Sequence, residues 1–464
     1  MSVNSFDSFF LSWVPEQLPL KRPQYLHLAN ALEADIISGK IAAGTKLPPQ
    51  RELADFLNIN FTTVTRAYGL CRERNLIYGV TGRGTFVAPM PGSGNRQYCR
   101  RDMPVIELGV VKGFEQLKTP VIEASQSVLQ KGYIEELYSY TEPAGHLHQR
   151  AAGAHWMAQM DVHTDSEHTA IFSGAQNAIS AAFLTLFRIG DKVAVDEYTY
   201  SNLIGTARLS HIRLVPVAGD SGGMRPEILA DICRREDIRG IFLMPNCANP
   251  TTVTISEERK DQLAEIIRKN DLILIEDDNT GIPTLPDGGY HTMFSRLPEQ
   301  SIYICSSTMA LCSGLRVAFA AFPEAYRSQL LNGLFHLSIK TSSLDAEIMT
   351  ELILSGKAWK ILEQKRGLAV ARNRIFDEVF PDAVTAGTEA AFFRWLPFRS
   401  MNLTGVEIEQ ELQKRNVNVY CAYRFSIQRN PGSFMRLAIA SPGSDSELRR
   451  GLHIVKEFLQ EKSS

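Results

Sequence analysis

Apolar positions near the start of this chain recur at helical spacing. Tyr25, Leu28, Leu32 and Ile36 form one stripe of an amphipathic helix, and Gly39 stops it. Leu47-Pro48-Pro49-Gln50-Arg51-Glu52-Leu53-Ala54 opens a second helix, since proline is pre-set for a first turn, with Leu53, Ala54 and Leu57 facing inward. Asn58 to Asn60 break it, and Phe61 to Arg74 makes a third. Leu76-Ile77-Tyr78 and Thr81-Gly82-Arg83-Gly84-Thr85-Phe86-Val87 read as a hairpin whose tip needs glycine for positive φ. Short helices joined by a tight turn and followed by a basic hairpin make a helix-turn-helix with a wing.

Beyond about residue 105 the pattern changes. Short apolar runs that do not alternate, at 192–196, 212–217, 240–244, 272–276, 301–305 and 317–322, are separated by helical stretches such as 175–188, 226–236 and 256–269. Runs of this kind predict a mostly parallel sheet covered by helices on both faces, with ligands at the carboxyl ends of its strands. From about residue 385, strand patterns at 392–396, 417–420 and 434–440 and helices at 406–414 and 446–461 predict a smaller α/β subdomain. Pro89-Met90-Pro91-Gly92-Ser93-Gly94-Asn95 holds no regular structure and reads as a linker. The expected organisation is an extension at 1–20, a winged helix at 21–88, a linker at 89–104 and an α/β body at 105–464.

With 464 residues, 44% of them hydrophobic and 22% charged, the chain can bury a large core without staples. Its seven cysteines show no paired or metal-ligand spacing, which favours free thiols in a reducing cytoplasm and no metal. No stretch is long and apolar enough to span a bilayer. The short apolar patch at Phe9 to Val14 is expected to pack on the body or on a partner chain. Net charge is −2, but Lys21 to Ala88 carries nine Lys/Arg against five Asp/Glu, so the front alone favours an anionic partner.

Polar residues gather at the predicted strand ends. Ser306-Ser307-Thr308-Met309-Ala310-Leu311-Cys312-Ser313-Gly314-Leu315-Arg316 joins two buried strands and sets two hydroxyls and a guanidinium where each can donate to a phosphate. Ser173-Gly174-Ala175-Gln176 starts a helix, whose free N–H groups and dipole also favour an anion. Tyr200 offers a ring to stack on a planar heterocycle, Asn249-Pro250-Thr251 an amide, and Glu276-Asp277-Asp278-Asn279 carboxylates at a strand end. Taken singly, each is also a common capping, packing or loop device.

The front matches G-x-[LI]-x-x-G-x-x-L-P-x-x-R-x-L-A … T-V-x-R-A-Y … G-x-G-T-F-V nearly position for position, and so resembles the GntR family. That resemblance implies binding of double-stranded operator DNA. Arg51 and Arg66 would contact phosphates or base edges, Thr62, Thr63 and Thr65 would face the major groove, and Arg83 would enter the minor groove. The body resembles the fold-type I aminotransferases, in the form of the effector domain of MocR-type regulators, through Tyr140-Thr141-Glu142-Pro143-Ala144-Gly145, the Gly174 turn, Asn249-Pro250-Thr251, Asp277, Gly314-Leu315-Arg316 and Met435-Arg436-Leu437.

By this second resemblance Asp277 bonds the pyridine nitrogen of pyridoxal 5'-phosphate (PLP), Asn249 its ring oxygen, and Gly174, Ala175, Ser306, Thr308 and Arg316 its phosphate. Gln176 and Tyr200 would line the same pocket. Arg436 would clamp the carboxylate of an amino acid, and Tyr140 would reach the site of a partner subunit in a homodimer. Met309 stands where the family has the lysine that forms a Schiff base with the cofactor. Asn279 replaces a tyrosine, and Thr252 replaces the glycine of N-P-T-G. A thioether forms no imine, so the expectation is a cytoplasmic regulator, not an enzyme, holding PLP or pyridoxamine 5'-phosphate non-covalently or sensing an amino acid. The alternatives are an aminotransferase with a DNA-binding extension, and a regulator whose body only dimerises.

Overall fold

The computed structural model describes residues 11–16, 22–38, 40–41, 44–74, 76–80, 84–88, 105–284, 291–383, 387–399, 401–428 and 432–463. The expected linker at 89–104 and the Arg83 tip lie outside them. The chain divides into two compact units, Met1–Pro104 and Val105–Ser464.

The front unit holds helices α1 (Gln24–Ile37), α2 (Gln50–Leu57) and α3 (Phe61–Glu73), then strands β1 (Ile77–Val80) and β2 (Gly84–Val87). Pro49 precedes α2, and Asn58 ends it in the left-handed conformation with φ 49°. Asn60 caps α3 by accepting from the Thr62 amide at 2.8 Å. The β1–β2 pair is antiparallel, Ile77 opposite Val87. Leu28, Leu32, Leu53, Ala54, Val64, Tyr68 and Cys71 interlock in one core.

That core also contains Trp13, 4% exposed, whose Nε1 donates to Asp35 at 2.8 Å. The apolar patch expected on the body or on a partner thus packs, at Trp13, on the front unit itself. A buried indole needs an acceptor for its N–H, and α1 supplies one.

The second unit is built on a seven-stranded sheet of order β4-β12-β11-β10-β9-β5-β6. In chain order β3 is Ile106–Glu107, β4 Thr169–Phe172, β5 Lys192–Asp196, β6 Arg213–Val217, β7 Gly219–Asp220 and β8 Gly223–Met224. Next come β9 Ile238–Leu243, β10 Ile273–Asp277, β11 Ser301–Ser306 and β12 Ala318–Ala321. β6, β5, β9, β10 and β11 run parallel, while β12 lies antiparallel to β11 and to β4. Central strands such as β11 are buried at every position, and for this reason they read as continuous apolar runs. Helices Ala175–Leu186 and Glu324–Ser338 lie against one face through Phe183, Leu330 and Leu334; Glu257–Lys269 packs with Leu263, Ala264 and Ile267.

A second sheet follows. β13 (Arg394–Pro397), β14 (Val417–Asn418), β15 (Tyr420–Cys421) and β16 (Phe434–Leu437) complete the strands; the order β13-β16-β15 is antiparallel, and β14 pairs with β3. Helices Gly405–Lys414 and Asp445–Ser463 cover it. The fold is the expected winged helix-turn-helix followed by a fold-type I body with a smaller C-terminal subdomain. One strand of the main sheet, β4, carries no expectation from the sequence reading.

Trp13→Ala is expected to destabilise the front unit by about 3 kcal/mol. Hydrogen exchange of the α1 amides in the full chain should accelerate roughly a hundredfold, and unchanged exchange would show that Trp13 is not part of that core.

Candidate functional site

In the front unit, Thr65 Oγ donates to Gln50 Oε1 at 2.9 Å, fastening the start of α2 beside the start of α3. Thr62, Thr65, Arg51 and Arg66 are exposed around this junction, and Thr63 is half-buried. The Arg51 guanidinium lies 5.7 Å from the Phe61 ring centroid, and that of Arg66 lies 4.0 Å from the Tyr25 ring centroid. Five of the expected contact residues thus share one pair of helix starts. Thr62 Oγ is itself engaged with the Asn60 side chain at 2.8 Å.

In the body, the expected residues converge on the carboxyl ends of β10 and β11. Ser306 ends β11; its Oγ donates to Thr308 Oγ at 2.8 Å and accepts from the Thr308 amide at 3.0 Å. Arg316 Nη1 donates to the same Thr308 Oγ at 3.2 Å. Gly174 has φ +87°, and a β-carbon there would lie 2.5 Å from Arg316 Nη2. Two hydroxyls and an exposed guanidinium therefore gather at the start of helix Ala175–Leu186, and only glycine at 174 lets the guanidinium come so close.

Asp277, 2% exposed, ends β10 and accepts from the Asn279 amide at 3.1 Å. Burial pushes its carboxyl up to about 7, the Asn279 N–H opposing and the neighbouring Asp278 adding. The Asn279 Oδ1 is buried with no hydrogen-bond partner among the described residues. Tyr200 lies within electrostatic reach of Asp277, Arg316 and Arg436, and burial raises its phenol. Arg436 is 5% exposed; its Nη1 donates to Asn249 Oδ1 at 2.9 Å, its Nη2 to the Gly109 carbonyl, and its Nε has no partner. Burial lowers it to about 10.

Three expectations need qualification by position. Gln176 donates its amide nitrogen to Thr206 Oγ, and its amide oxygen is buried with no hydrogen-bond partner among the described residues. Tyr140 is 84% exposed and takes no part in the site of its own chain. Thr252, at the glycine position, is fully buried with φ +62°, a conformation unfavourable for a β-branched residue.

Met309 packs with Phe114, Cys247, Phe392 and Phe393, so its side chain joins an apolar wall. Lys365, which the sequence reading did not single out, is 1% exposed and donates to the carbonyls of Met309 and Leu311 at 2.9 and 2.8 Å. Burial draws it down to about 8. It lies on the same stripe as Ala358, Ile361, Leu362, Ala369 and Arg372, and a lysine at helical spacing among apolar residues is a legible sign of a buried cation.

These residues fit a PLP-type group. The glycine cradle and hydroxyls suit a phosphate, the desolvated Asp277 suits a protonated ring nitrogen, and the unpartnered Asn279 Oδ1 and Arg436 Nε leave polar capacity beside them. No side chain at 309 offers an amine.

Both segments of the chain match known families. Residues 106–455 match the model of aminotransferase class I and II, and residues 24–87 match that of bacterial regulatory proteins of the gntR family. An uncharacterised HTH-type transcriptional regulator of Bacillus subtilis, YdeF, is 32% identical over 99% of this chain and 100% of its own. The vitamin B6 salvage pathway transcriptional repressor PtsJ of Salmonella typhimurium is 26% identical over 65% of this chain and 68% of its own. Among solved structures, a kynurenine aminotransferase of Pyrococcus horikoshii in complex with PMP superposes with a TM-score of 0.73 at 17% identity, covering 81% of this chain and 96% of that one.

Folded Asp277 keeps its proton up to about pH 7, whereas an unfolded aspartate loses it near pH 4, so folding stability falls as pH rises between those values. The melting temperature of the protein without ligand is therefore expected to drop less between pH 5 and 8 in Asp277→Asn than in the unaltered chain. Parallel curves would show that the carboxyl is not desolvated.

Proposed function

The chain belongs to the aminotransferase class I and II family and carries a gntR-family segment ahead of it, the make-up of a MocR-type regulator, and from that premise we propose that its body senses a B6 phosphate rather than catalysing transamination. The observation that carries the reading is the Gly174–Thr308–Arg316 cradle beside a buried Asp277, in a pocket with Met309 in place of an amine.

Ser306, Thr308, Arg316 and the Gly174–Ala175 amides hold the phosphate. Tyr200 stacks on the ring, while Asp277 keeps the ring nitrogen protonated and Asn249 and Asn279 orient the ring oxygen. Arg436 receives a carboxylate. Bound PLP supplies an electron sink, chemistry that in the enzymes begins from a lysine amine. With Met309 there, this chain holds and orients the group without a covalent tether and has no amine at that position to move a proton. The name of PtsJ, a B6-pathway repressor, supports the same ligand class.

For the ligand to act on transcription it must bind one arrangement of the chain more tightly than another. The front unit reads operator DNA through α3 and the wing, with Arg51 and Arg66 on phosphates or base edges, Thr62, Thr63 and Thr65 in the major groove and Arg83 in the minor groove. A homodimer would present two such readers.

Titration of the purified chain with PLP, followed by borohydride and mass analysis, tests the sensor. Saturable absorbance change with no reduced adduct on any lysine is expected, and Arg316→Ala and Asp277→Asn should each weaken binding at least tenfold. A lysine adduct, turnover of an amino-acid panel, or absence of B6 binding would overturn the reading. Arg51→Ala is expected to weaken operator binding and reduce its salt slope by about one. Unchanged binding would remove Arg51 from the interface.

A further inference from the structure

A cavity of about 290 Å³ lies between the carboxyl end of β5, the β7–β8 hairpin and the second sheet. One wall is aromatic. Trp395 and Phe434 stack with centroids 5.2 Å apart and planes within 5°, and Tyr198 leans on both at 5.2 and 5.7 Å. Met244, Val253 and Ile255 add apolar lining. Three acidic residues, Asp196, Glu197 and Asp220, are among its lining residues, and no lysine or arginine is among the described ones.

The three acids are not equivalent. Asp220 is neutralised by Arg259, whose Nη2 lies 3.2 Å from its Oδ2. Asp196 has no hydrogen-bond or ionic partner among the described residues, and burial alone pushes its carboxyl up to about 7. An uncompensated carboxylate is costly beside apolar walls, and π-faces attract cations that shed water.

We propose that this cavity is a binding site for an organic ammonium ion with an aromatic or short alkyl body, its cation held between the Asp196 carboxylate and the Tyr198 and Trp395 rings. The site is distinct from the PLP-type pocket but shares its partition. In the bend at 196–200, Tyr198 lines the cavity while Tyr200 lies within electrostatic reach of Asp277 and Arg316; Ala248 and Thr251 line the cavity while Asn249 bonds Arg436. An occupant is thus placed to shift both pocket residues.

Phenyltrimethylammonium is the probe, because it cannot condense with an aldehyde and so reads this site whatever B6 does. At pH 8, where Asp196 is ionised, calorimetry on the full chain should show saturable binding. Benzoate should not bind. Asp196→Asn is expected to raise Kd at least tenfold, Ile255→Trp to abolish binding by filling the cavity, and Trp395→Phe to remove the fluorescence response while calorimetric binding persists. Equal affinity for benzoate, or undiminished binding by both Asp196→Asn and Ile255→Trp, would overturn the assignment. Should Asp196→Asn fail to fold, Ile255→Trp and the benzoate comparison decide it.

Discussion

Charge held out of water at the carboxyl edge of the main sheet is the constraint on which the second unit turns. Asp277 and Arg436 are both nearly sealed, and neither forms a salt bridge among the described residues; the first has its carboxyl raised to about 7, and the second its guanidinium lowered to about 10 despite the pull of Glu107. Arg436 leans instead on an amide, a carbonyl and the faces of Phe393, Tyr420 and Phe425. A buried charge without a counter-ion costs several kcal/mol. A fold selected for dimerisation alone would relieve that cost by replacing either residue with an apolar one. A ligand carrying a protonated ring nitrogen at one end and a carboxylate at the other relieves both costs at once, which is why the arrangement favours a sensor over an inert body.

Met309 fits the same logic from the opposite side. A lysine there would bring a third charge to the edge, and the apolar wall of Phe114, Phe392 and Phe393 would have to hydrate it or pair it. The thioether removes that demand. Lys365, reaching the Met309 and Leu311 carbonyls from behind, fixes the backbone of the short helix Ser307–Ala310 in which Met309 sits.

Much of this was legible in the sequence because burial on both faces leaves a strong mark. β5, β9, β10 and β11 read as unbroken apolar runs, and the helices between them kept their periodicity. The strand β4, Thr-Ala-Ile-Phe, is four residues long and carries too little pattern to separate it from a helix end. Gly174, Asp277 and Arg316 stand out in the sequence because they fall just after β4, at the end of β10 and in the loop between β11 and β12. The direction of a side chain is another matter: that Gln176 turns to Thr206, or that Thr252 is held at positive φ, depends on neighbours remote in sequence. The docking of Trp13 on α1 was missed for the same reason, since an isolated apolar patch does not declare its partner.

The cavity at the end of β5 belongs to what the sequence conceals, because its aromatic wall is assembled from Tyr198, Trp395 and Phe434, which no local pattern connects. Were the proposed B6 phosphate and ammonium ion both to bind, the two sites would be joined by short stretches of chain. The strand-end segment 196–200 and the turn at 248–251 each present residues to both spaces, so displacement of either wall is felt in both. Coupling of this kind is reciprocal: a cation that tightens B6 binding must itself be bound more tightly when the B6 group is present. Residues 196–200 and 248–251, shared between the two groups of residues, are where such a coupling would be carried.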